Sequence, residues 1–338
     1  MTLVLSLILS CILSYISVGL YRSYAIKKSI LDHPNHRSSH SMPTPRGGGV
    51  VFPVLWGVFL VVSYFIGFID GSYLLLFLPV TFIISLVSFL DDKYQVAARF
   101  RFFVQLGVAI YSLFIMGGFP EFNLGLLTIN WGWFGSVFIC IVLLWSINLY
   151  NFMDGIDGIA AIEALFVLGV GGYFVWDAGG HDLAMVVWSM AAIVCGFLLW
   201  NKPPAKIFMG DVGSTLLGFL VVLFAIIGER KYNVPALLWV ILYGVFWFDA
   251  TLTLIRRFIH GDKWYQAHRL HAYQRLQLQN WSHSKIIMGV AIVNIVLAVL
   301  ANFAYNFPQY MLLALLGGGV ILAIGYMVVE KTQPMYLR

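Results

Sequence analysis

Charged residues are scarce in this sequence of 338 residues, because Asp, Glu, Lys and Arg together make up only 10% while hydrophobic residues make up 61%. Soluble domains carry roughly 25% charged residues, so the composition excludes a surface that faces water throughout. A regular alternation of polar and apolar residues is also lacking, which excludes a transmembrane β-barrel. A bundle of membrane-spanning helices remains, since helices hydrogen-bond their own backbone within lipid.

Cysteine is scarce as well. Cys11, Cys140 and Cys195 all lie in apolar runs without metal-ligand spacing, so we interpret them as small buried hydrophobic residues. The first twenty residues lack a basic leader and a small-residue cleavage site, so we expect a retained first span. No soluble domain or internal repeat is apparent, and the sequence predicts one membrane domain over residues 1–338.

Apolar runs of the length needed to cross a bilayer recur along the chain. They predict an all-α, polytopic protein with about eleven transmembrane helices. The fifth and sixth of these runs are joined by a very short connection. The predicted spans are 2–21, 48–68, 72–90, 102–118, 132–150, 158–175, 183–200, 212–228, 234–255, 285–303 and 310–329.

Basic residues are distributed unevenly between the two sides of this arrangement. One side holds 18 of the 20 Lys and Arg residues, and the other holds only Arg230 and Lys231. The positive-inside rule therefore predicts an external N-terminus and a cytoplasmic C-terminus. The net charge of +5 then reflects topology and anionic lipid, and no nucleic-acid partner is expected. The basic face comprises the tail and the connections 22–47, 91–101, 151–157, 201–211 and 256–285, which we number loops one to five.

Acidic residues gather on the basic face. Asp91 and Asp92 end the third span, where adjacent carboxylates oppose the helix dipole, so a bound cation or a functional role explains them better than a helix end. Asp154 and Asp157 lie beside glycines, and taken alone they are better explained as a turn and an N-cap. Asp211 opens a span among glycines, which suits phosphate and metal binding as well as a simple N-cap.

Loops one and five add cations and histidines. Arg46 precedes three glycines, which favour either a close approach to a ligand or a flexible hinge. His268 and His271 have a spacing that places both on one side if this segment is helical, although each alone is typical of an ordinary loop histidine.

Together these groups indicate phosphate chemistry. Carboxylates at a lipid boundary are costly unless they are paired or bound to a metal. Oxygen ligands, without Cys or His residues at the spacing of a zinc site, favour Mg²⁺, and Mn²⁺ is also acceptable. Mg²⁺ beside cations is typical of phosphate or pyrophosphate enzymes. A transporter would place acids near the midplane on broken helices, and we expect no such acids here.

The motifs resemble those of the polyprenyl-phosphate N-acetylhexosamine-1-phosphate transferases over nearly the whole chain. They are Pro43-Thr-Pro-Arg-Gly-Gly-Gly49, Asp91-Asp92, Asn148-x-x-Asn151-x-x-Asp154-Gly-x-Asp157-Gly158, Phe208-Met-Gly-Asp211-x-Gly-Ser214 and the loop-five histidines. The resemblance implies transfer of a sugar-1-phosphate from a UDP-N-acetylhexosamine to undecaprenyl phosphate, with release of UMP, at the cytoplasmic side of the bacterial inner membrane. It is also compatible with a homodimer.

The resemblance also implies residue roles. It makes Asn151 and Asp211 the Mg²⁺ ligands, and Asp91, Asp92 and His268 the catalytic residues. Phe208 is implied to stack on the uracil. The implied substrate-binding residues are Arg46, Arg101, Asp154, Asp157, Asn201, Phe208, Arg269 and His271.

Two departures from the family pattern bear on the substrate. The peptidoglycan branch has consecutive histidines in loop five, whereas this chain has His268-Arg-Leu-His271, which favours the branch that initiates O-antigen or capsule synthesis. Arg101 stands where the family tends to have Lys, which keeps the charge but not the point-charge geometry. The sugar stays open among GlcNAc, FucNAc and QuiNAc.

Two other functions are compatible with parts of the sequence. Asp154-x-x-Asp157-Gly158-x-x-Ala161 half-matches the motif of CDP-alcohol phosphotransferases, but Ile162 stands where that motif has Arg. A lipid-carrier flippase would transport without releasing UMP. For the transferase we expect direct displacement at phosphorus, with a two-step route through an aspartyl-phosphate on Asp91 as the rival mechanism.

Overall fold

Helices dominate the computed structural model, which describes residues 2–34, 42–119, 121–263 and 268–336. The α-helices of these residues are, in chain order, α1 Thr2–Lys27, α2 Val51–Phe65, α3 Gly71–Tyr94, α4 Ala98–Met116, α5 Trp133–Met153, α6 Ile159–Asp177, α7 His181–Asn201, α8 Asp211–Tyr232, α9 Ala236–Leu242, α10 Gly244–His260, α11 Ala272–Leu278, α12 His283–Asn306 and α13 Met311–Thr332. Among the described residues, ten helices are long and apolar enough to span a membrane, and the bent pair α9–α10 brings the number to eleven if it counts as one span. The predicted all-α, multi-span class is confirmed.

The ninth predicted span, 234–255, is not one straight helix. Helices α9 and α10 meet at an angle of 75° around Tyr243. Gly244 opens α10 where a side chain would lie 3.0 Å from Leu297 and from Leu322. The bend is thus fixed by packing against α12 and α13, which the local apolar sequence does not reveal.

Two acids lie inside predicted spans, and both lie toward the basic face, Glu163 near the start of α6 and Asp249 against loop five. Glu163 in α6 is fully buried and accepts a hydrogen bond from Asn294 Nδ2 in α12 at 2.6 Å. Asp249 in α10 is also buried and accepts from the backbone N–H of Ala272 at 2.8 Å. Both carboxylates are tolerated because they hold elements of the bundle together.

Helix α8 lies at the centre of the bundle and is buried along most of its length. A side chain at Gly218 would meet the Ser146 carbonyl of α5 at 2.5 Å, so the glycine allows close helix contact. On another side, the hydroxyls of Ser88 in α3 and Thr215 are 2.8 Å apart. This packing fixes the start of α8, and therefore Asp211, relative to the ends of α3 and α5.

Two short antiparallel hairpins complete the described structure. Strands β1 Leu31–Asp32 and β2 Thr44–Pro45 enclose part of loop one, whose residues 35–41 lie outside the described residues. Strands β3 Glu121–Asn123 and β4 Thr128–Asn130 lie between α4 and α5, at the other end of the spans. The first hairpin orients the residues that lead into the glycine run.

Candidate active site

Loop one and loop four are joined through their backbones. Gly48 and Gly49 donate to the carbonyls of Phe208 and Met209 at 2.9 and 2.8 Å, and Phe208 donates back to Pro45 at 2.8 Å. A Cβ on Gly49 would lie 2.5 Å from Gly213 Cα, so only glycine permits this approach. The glycine run therefore serves backbone packing against the start of α8, and neither the ligand-approach nor the hinge interpretation anticipated that contact.

Three elements converge beside this contact. Arg46 Nη2 lies 3.1 Å from Asp92 Oδ1 and donates to the Asp92 carbonyl at 2.9 Å. Arg101 forms an ion pair with Asp91. A Cβ on Gly210 would lie 3.6 Å from Asp92 Oδ2, which places the end of α3 against the residue before Asp211. The predicted acids and arginines are thus brought together at one edge of the bundle.

The predicted metal ligands also lie close together. Asn151 Oδ1 accepts from Ser214 Oγ at 2.8 Å, one turn after Asp211 in α8. Within the described residues, no group of three His, Cys, Asp or Glu is placed to hold a metal ion. Mg²⁺ commonly takes only one or two protein ligands and completes its shell with water and substrate phosphate. The oxygen donors of Asn151 and Asp211 fit such a site.

Asp154 follows α5 and is half-buried near these residues. Burial, together with the nearby carboxylates of Asp211 and Asp157, raises its pKa to about 7. A proton or a nearby cation therefore relieves the charge of Asp154 at neutral pH. A bound cation would lower this pKa and keep the carboxylate ionised.

Asp157 and Asn201 connect loop three to loop four. Asn201 Oδ1 accepts from the Gly158 N–H and its Nδ2 donates to the Ile207 carbonyl, each at 2.9 Å. Asp157 Oδ2 accepts from the Ala205 N–H at 3.0 Å, and α6 has no side-chain cap, so the capping interpretation of Asp157 was wrong. These contacts position loops three and four. The substrate-binding roles of Asp157 and Asn201 stay predictions.

Asp211 likewise does not act as an N-cap. The N-cap position of α8 is Gly210, whose φ of 77° suits glycine, and Asp211 is the first helical residue. The Asp211 carboxylate therefore does not cap the helix, which was the alternative to metal binding in the sequence analysis.

The histidines of loop five lie side by side, although both precede the first residue of α11 and do not share a helix. Their ring centroids are 4.8 Å apart. His268 Nδ1 accepts from the Leu270 N–H at 3.3 Å, which assigns the proton of the neutral ring to Nε2. Burial, with His271 and Arg257 nearby, lowers the pKa of His268 to about 3. His268 is thus a neutral hydrogen-bonding group at pH 7.

His271 and Arg269 are held within loop five. His271 is 2% exposed, and its Nδ1 lies 3.7 Å from Asp249 Oδ1. Arg269 Nη2 donates to Gln277 Oε1 in α11 at 2.5 Å. The substrate-binding roles of His271 and Arg269 stay predictions. The burial of His271 favours a role in holding loop five rather than direct contact with substrate.

Three residues at the site were not predicted. Asp249 caps the start of α11, and the Tyr273 hydroxyl donates to the Phe152 carbonyl at 2.9 Å across Gly155. His283 Nδ1 lies 3.1 Å from Asp157 Oδ2. Asp249 could have been found from the sequence, because it is a carboxylate inside an apolar span. Tyr273 and His283 carry no comparable signal.

The geometry is that of a multi-span helical protein whose predicted acids and arginines gather at one edge of the bundle. The family model of glycosyl transferase family 4 matches residues 74–229 of the chain. The match agrees with the predicted resemblance to the polyprenyl-phosphate N-acetylhexosamine-1-phosphate transferases.

Curated relatives match most of the chain. It is 29% identical over 307 residues to the probable undecaprenyl-phosphate N-acetylglucosaminyl 1-phosphate transferase of Bacillus subtilis (strain 168), covering 88% of this chain and 84% of that protein. It is 29% identical over 328 residues to a phospho-N-acetylmuramoyl-pentapeptide-transferase of Halalkalibacterium halodurans, covering 90% and 96%. It is 26% identical over 311 residues to the undecaprenyl-phosphate alpha-N-acetylglucosaminyl 1-phosphate transferase of Escherichia coli O157:H7, covering 87% and 82%. Identity alone does not separate the two kinds of relative.

Proposed function

We propose that this protein transfers an N-acetylhexosamine-1-phosphate from a UDP-sugar to undecaprenyl phosphate at the cytoplasmic face of the inner membrane. The products are UMP and a polyprenyl-diphosphate sugar. The observation that carries the proposal is the convergence of Asp91, Asp92 and Asp211 with Asn151 at the ends of spans. A soluble nucleotide and a lipid phosphate can both reach that position.

The reaction we propose is a direct displacement at the phosphorus that bears the sugar. An oxygen of the lipid phosphate forms the new P–O bond, and the bond to the UMP oxygen breaks with its electron pair. Asn151 and Asp211 would hold Mg²⁺, which supplies charge stabilisation to the pyrophosphate. Arg46 and Arg101, now paired with carboxylates, are close enough to the site to orient phosphate.

The lipid phosphate is largely dianionic at pH 7, because the second pKa of a phosphate monoester is about 6. Asp91 is therefore needed mainly to position the nucleophile or to remove a residual proton. His268, neutral with its proton on Nε2, is suited to donate a hydrogen bond to a phosphate oxygen.

UMP release tests the proposal. Purified protein with Mg²⁺, undecaprenyl phosphate and a UDP-N-acetylhexosamine should release UMP, and EDTA should abolish the release. Asp211→Ala should lower kcat at least a hundredfold, whereas Glu121→Ala on the β3–β4 hairpin should not. No UMP with any UDP-N-acetylhexosamine would contradict the function and favour a flippase. Full Mg²⁺-dependent activity in Asp211→Ala would contradict the assignment of Asp211 as a metal ligand. A phosphorylated enzyme trapped after incubation with the UDP-sugar alone would contradict direct displacement.

The donor we propose is a UDP-N-acetylhexosamine rather than a UDP-muramyl-pentapeptide, and the pathway is O-antigen or another surface polysaccharide. The separated histidines His268 and His271 support this choice. Competition between radiolabelled UDP-GlcNAc and unlabelled UDP-sugars, including the muramyl-pentapeptide donor, measures the preference. Stronger competition by the pentapeptide donor would refute it.

A further inference from the structure

Residues 330–336, at the end of α13 and just after it, contact both ends of loop five. Arg256, at the start of the loop, donates through Nη1 and Nη2 to the two oxygens of Glu330 at 2.6 and 2.8 Å. Arg275, beyond the histidines in α11, donates through Nη1 to Glu330 at 2.6 Å and to the Gln333 carbonyl at 2.7 Å. One carboxylate thus joins two arginines that are nineteen positions apart in the sequence.

The burial of the two arginines differs, and this difference decides which contact matters. The Arg256–Glu330 pair is partly exposed, with side-chain exposures of 29% and 30%, and such pairs stabilise little. Arg275 is 1% exposed, and its Nε and Nη2 have no hydrogen-bond partner within the described residues. Without Glu330, a buried guanidinium would lose its counter-charge, which is strongly unfavourable.

A second contact joins the same segment to the first half of loop five. The Tyr336 hydroxyl donates to Asp262 Oδ2 at 2.8 Å. Its ring stacks on His260 with centroids 3.8 Å apart and an interplanar angle of 12°. The hydrogen bonds from Tyr336 and His260 lower the pKa of the Asp262 carboxyl. Loop five is therefore fixed on both sides of the stretch that carries His268 and Arg269.

We propose that Glu330 is a positioning residue for the active site. It touches no reacting atom, and it acts by anchoring loop five through Arg275 and Arg256. This inference rests on the proposed function for its kinetic consequence, but the anchoring itself does not depend on that function. The change that tests it is Glu330→Gln, which keeps the shape and removes the charge, with Glu121→Gln on the exposed β3–β4 hairpin as the matched control.

Two measurements on the full chain in detergent separate anchoring from general stability. Trypsin should cleave loop five, at Lys263 and Arg269, at least about fivefold faster in Glu330→Gln, because local opening exposes the loop. The value of kcat/KM for the UDP-sugar, measured below the unfolding midpoint of the variant and corrected for the amount of folded protein, should fall about tenfold. Glu121→Gln should match the wild type in every measurement.

The outcomes are distinct. If trypsin cleaved loop five of Glu330→Gln at the wild-type rate, the proposal would be overturned. It would also be overturned if activity fell only in proportion to the amount of folded protein while loop cleavage did not change. If the wild-type protein releases no UMP, the proposed function fails, and the cleavage rates still decide whether Glu330 anchors the loop.

Discussion

The contact between Gly49 and the start of α8 makes a sharp prediction for Gly49→Ala. The new Cβ would lie 2.5 Å from Gly213 Cα and 2.7 Å from Gly213 N, and both are backbone atoms that no side-chain rotation can move. An ordinary carbon contact is about 3.5–4.0 Å, so loop one must move away from α8 by about 1 Å. The hydrogen bond from Gly49 to the Met209 carbonyl lies on the same short segment.

The size of the effect follows from that displacement. Forcing one extra methyl into a packed contact costs about 1–3 kcal/mol of stability. A misplacement of about 1 Å at an active site lowers the rate roughly a hundredfold, equivalent to about 2.7 kcal/mol in the barrier. Because Arg46 is three residues away and pairs with Asp92, we expect both losses together.

The assay is UMP release together with thermal unfolding of the purified protein. Gly107→Ala in α4 is the matched control, because a Cβ there has no atom within 4 Å, and it should keep wild-type activity and stability. If Gly49→Ala retained wild-type kcat/KM and unfolding midpoint, the packing argument for the glycine run would be wrong.

Three further predictions concern loops three and five. Asp249→Ala leaves the Ala272 N–H without its acceptor and should lower the unfolding free energy by about 1–3 kcal/mol in thermal melts, whereas an unchanged melt would refute the capping role. His283→Ala removes a contact that holds Asp157 and should cost about 1 kcal/mol, measured in the same way; no change would show that Asp157 needs no such support. Native Asp154 keeps its proton to about pH 7, whereas an unfolded Asp releases it near pH 4, so the unfolding free energy should fall as pH rises between these values. Asp154→Asn should flatten this slope in Mg²⁺-free scans, and a slope equal to the wild type would exclude Asp154 as its source.

The spans were predictable because the thickness of the bilayer sets a length that the apolar runs must match. The break between α9 and α10 was not, because the sequence is apolar on both sides of Tyr243 and the bend depends on neighbours distant in sequence. Glu163 and Asp249 were visible as charges within spans. Their significance required knowledge of which helices pack against them.

The composition of the site was predictable for a related reason. Alternating spans bring every second connection to the same face, so Asp91, Asp154 and Asp211 had to share it. The contacts between loops were not predictable, as Asn201 illustrates. Its amide is a plausible ligand in sequence, yet in the structure both ends of the side chain hold backbone groups of other segments.

The two halves of the site are held in different ways, and this difference bears on donor choice. Loop one is joined to loop four by main-chain hydrogen bonds, across a contact that requires glycine at position 49. Loop five is held through side chains such as Asp249, Tyr273 and Glu330. Changes in side chains can therefore reshape loop five without moving the acids. Replacing residues 264–274 by the corresponding stretch of a relative with another donor should shift the ratio of kcat/KM between donors and leave the Mg²⁺ concentration for half-maximal activity unchanged. A shift in Mg²⁺ dependence of the same size would show that the two halves are not independent.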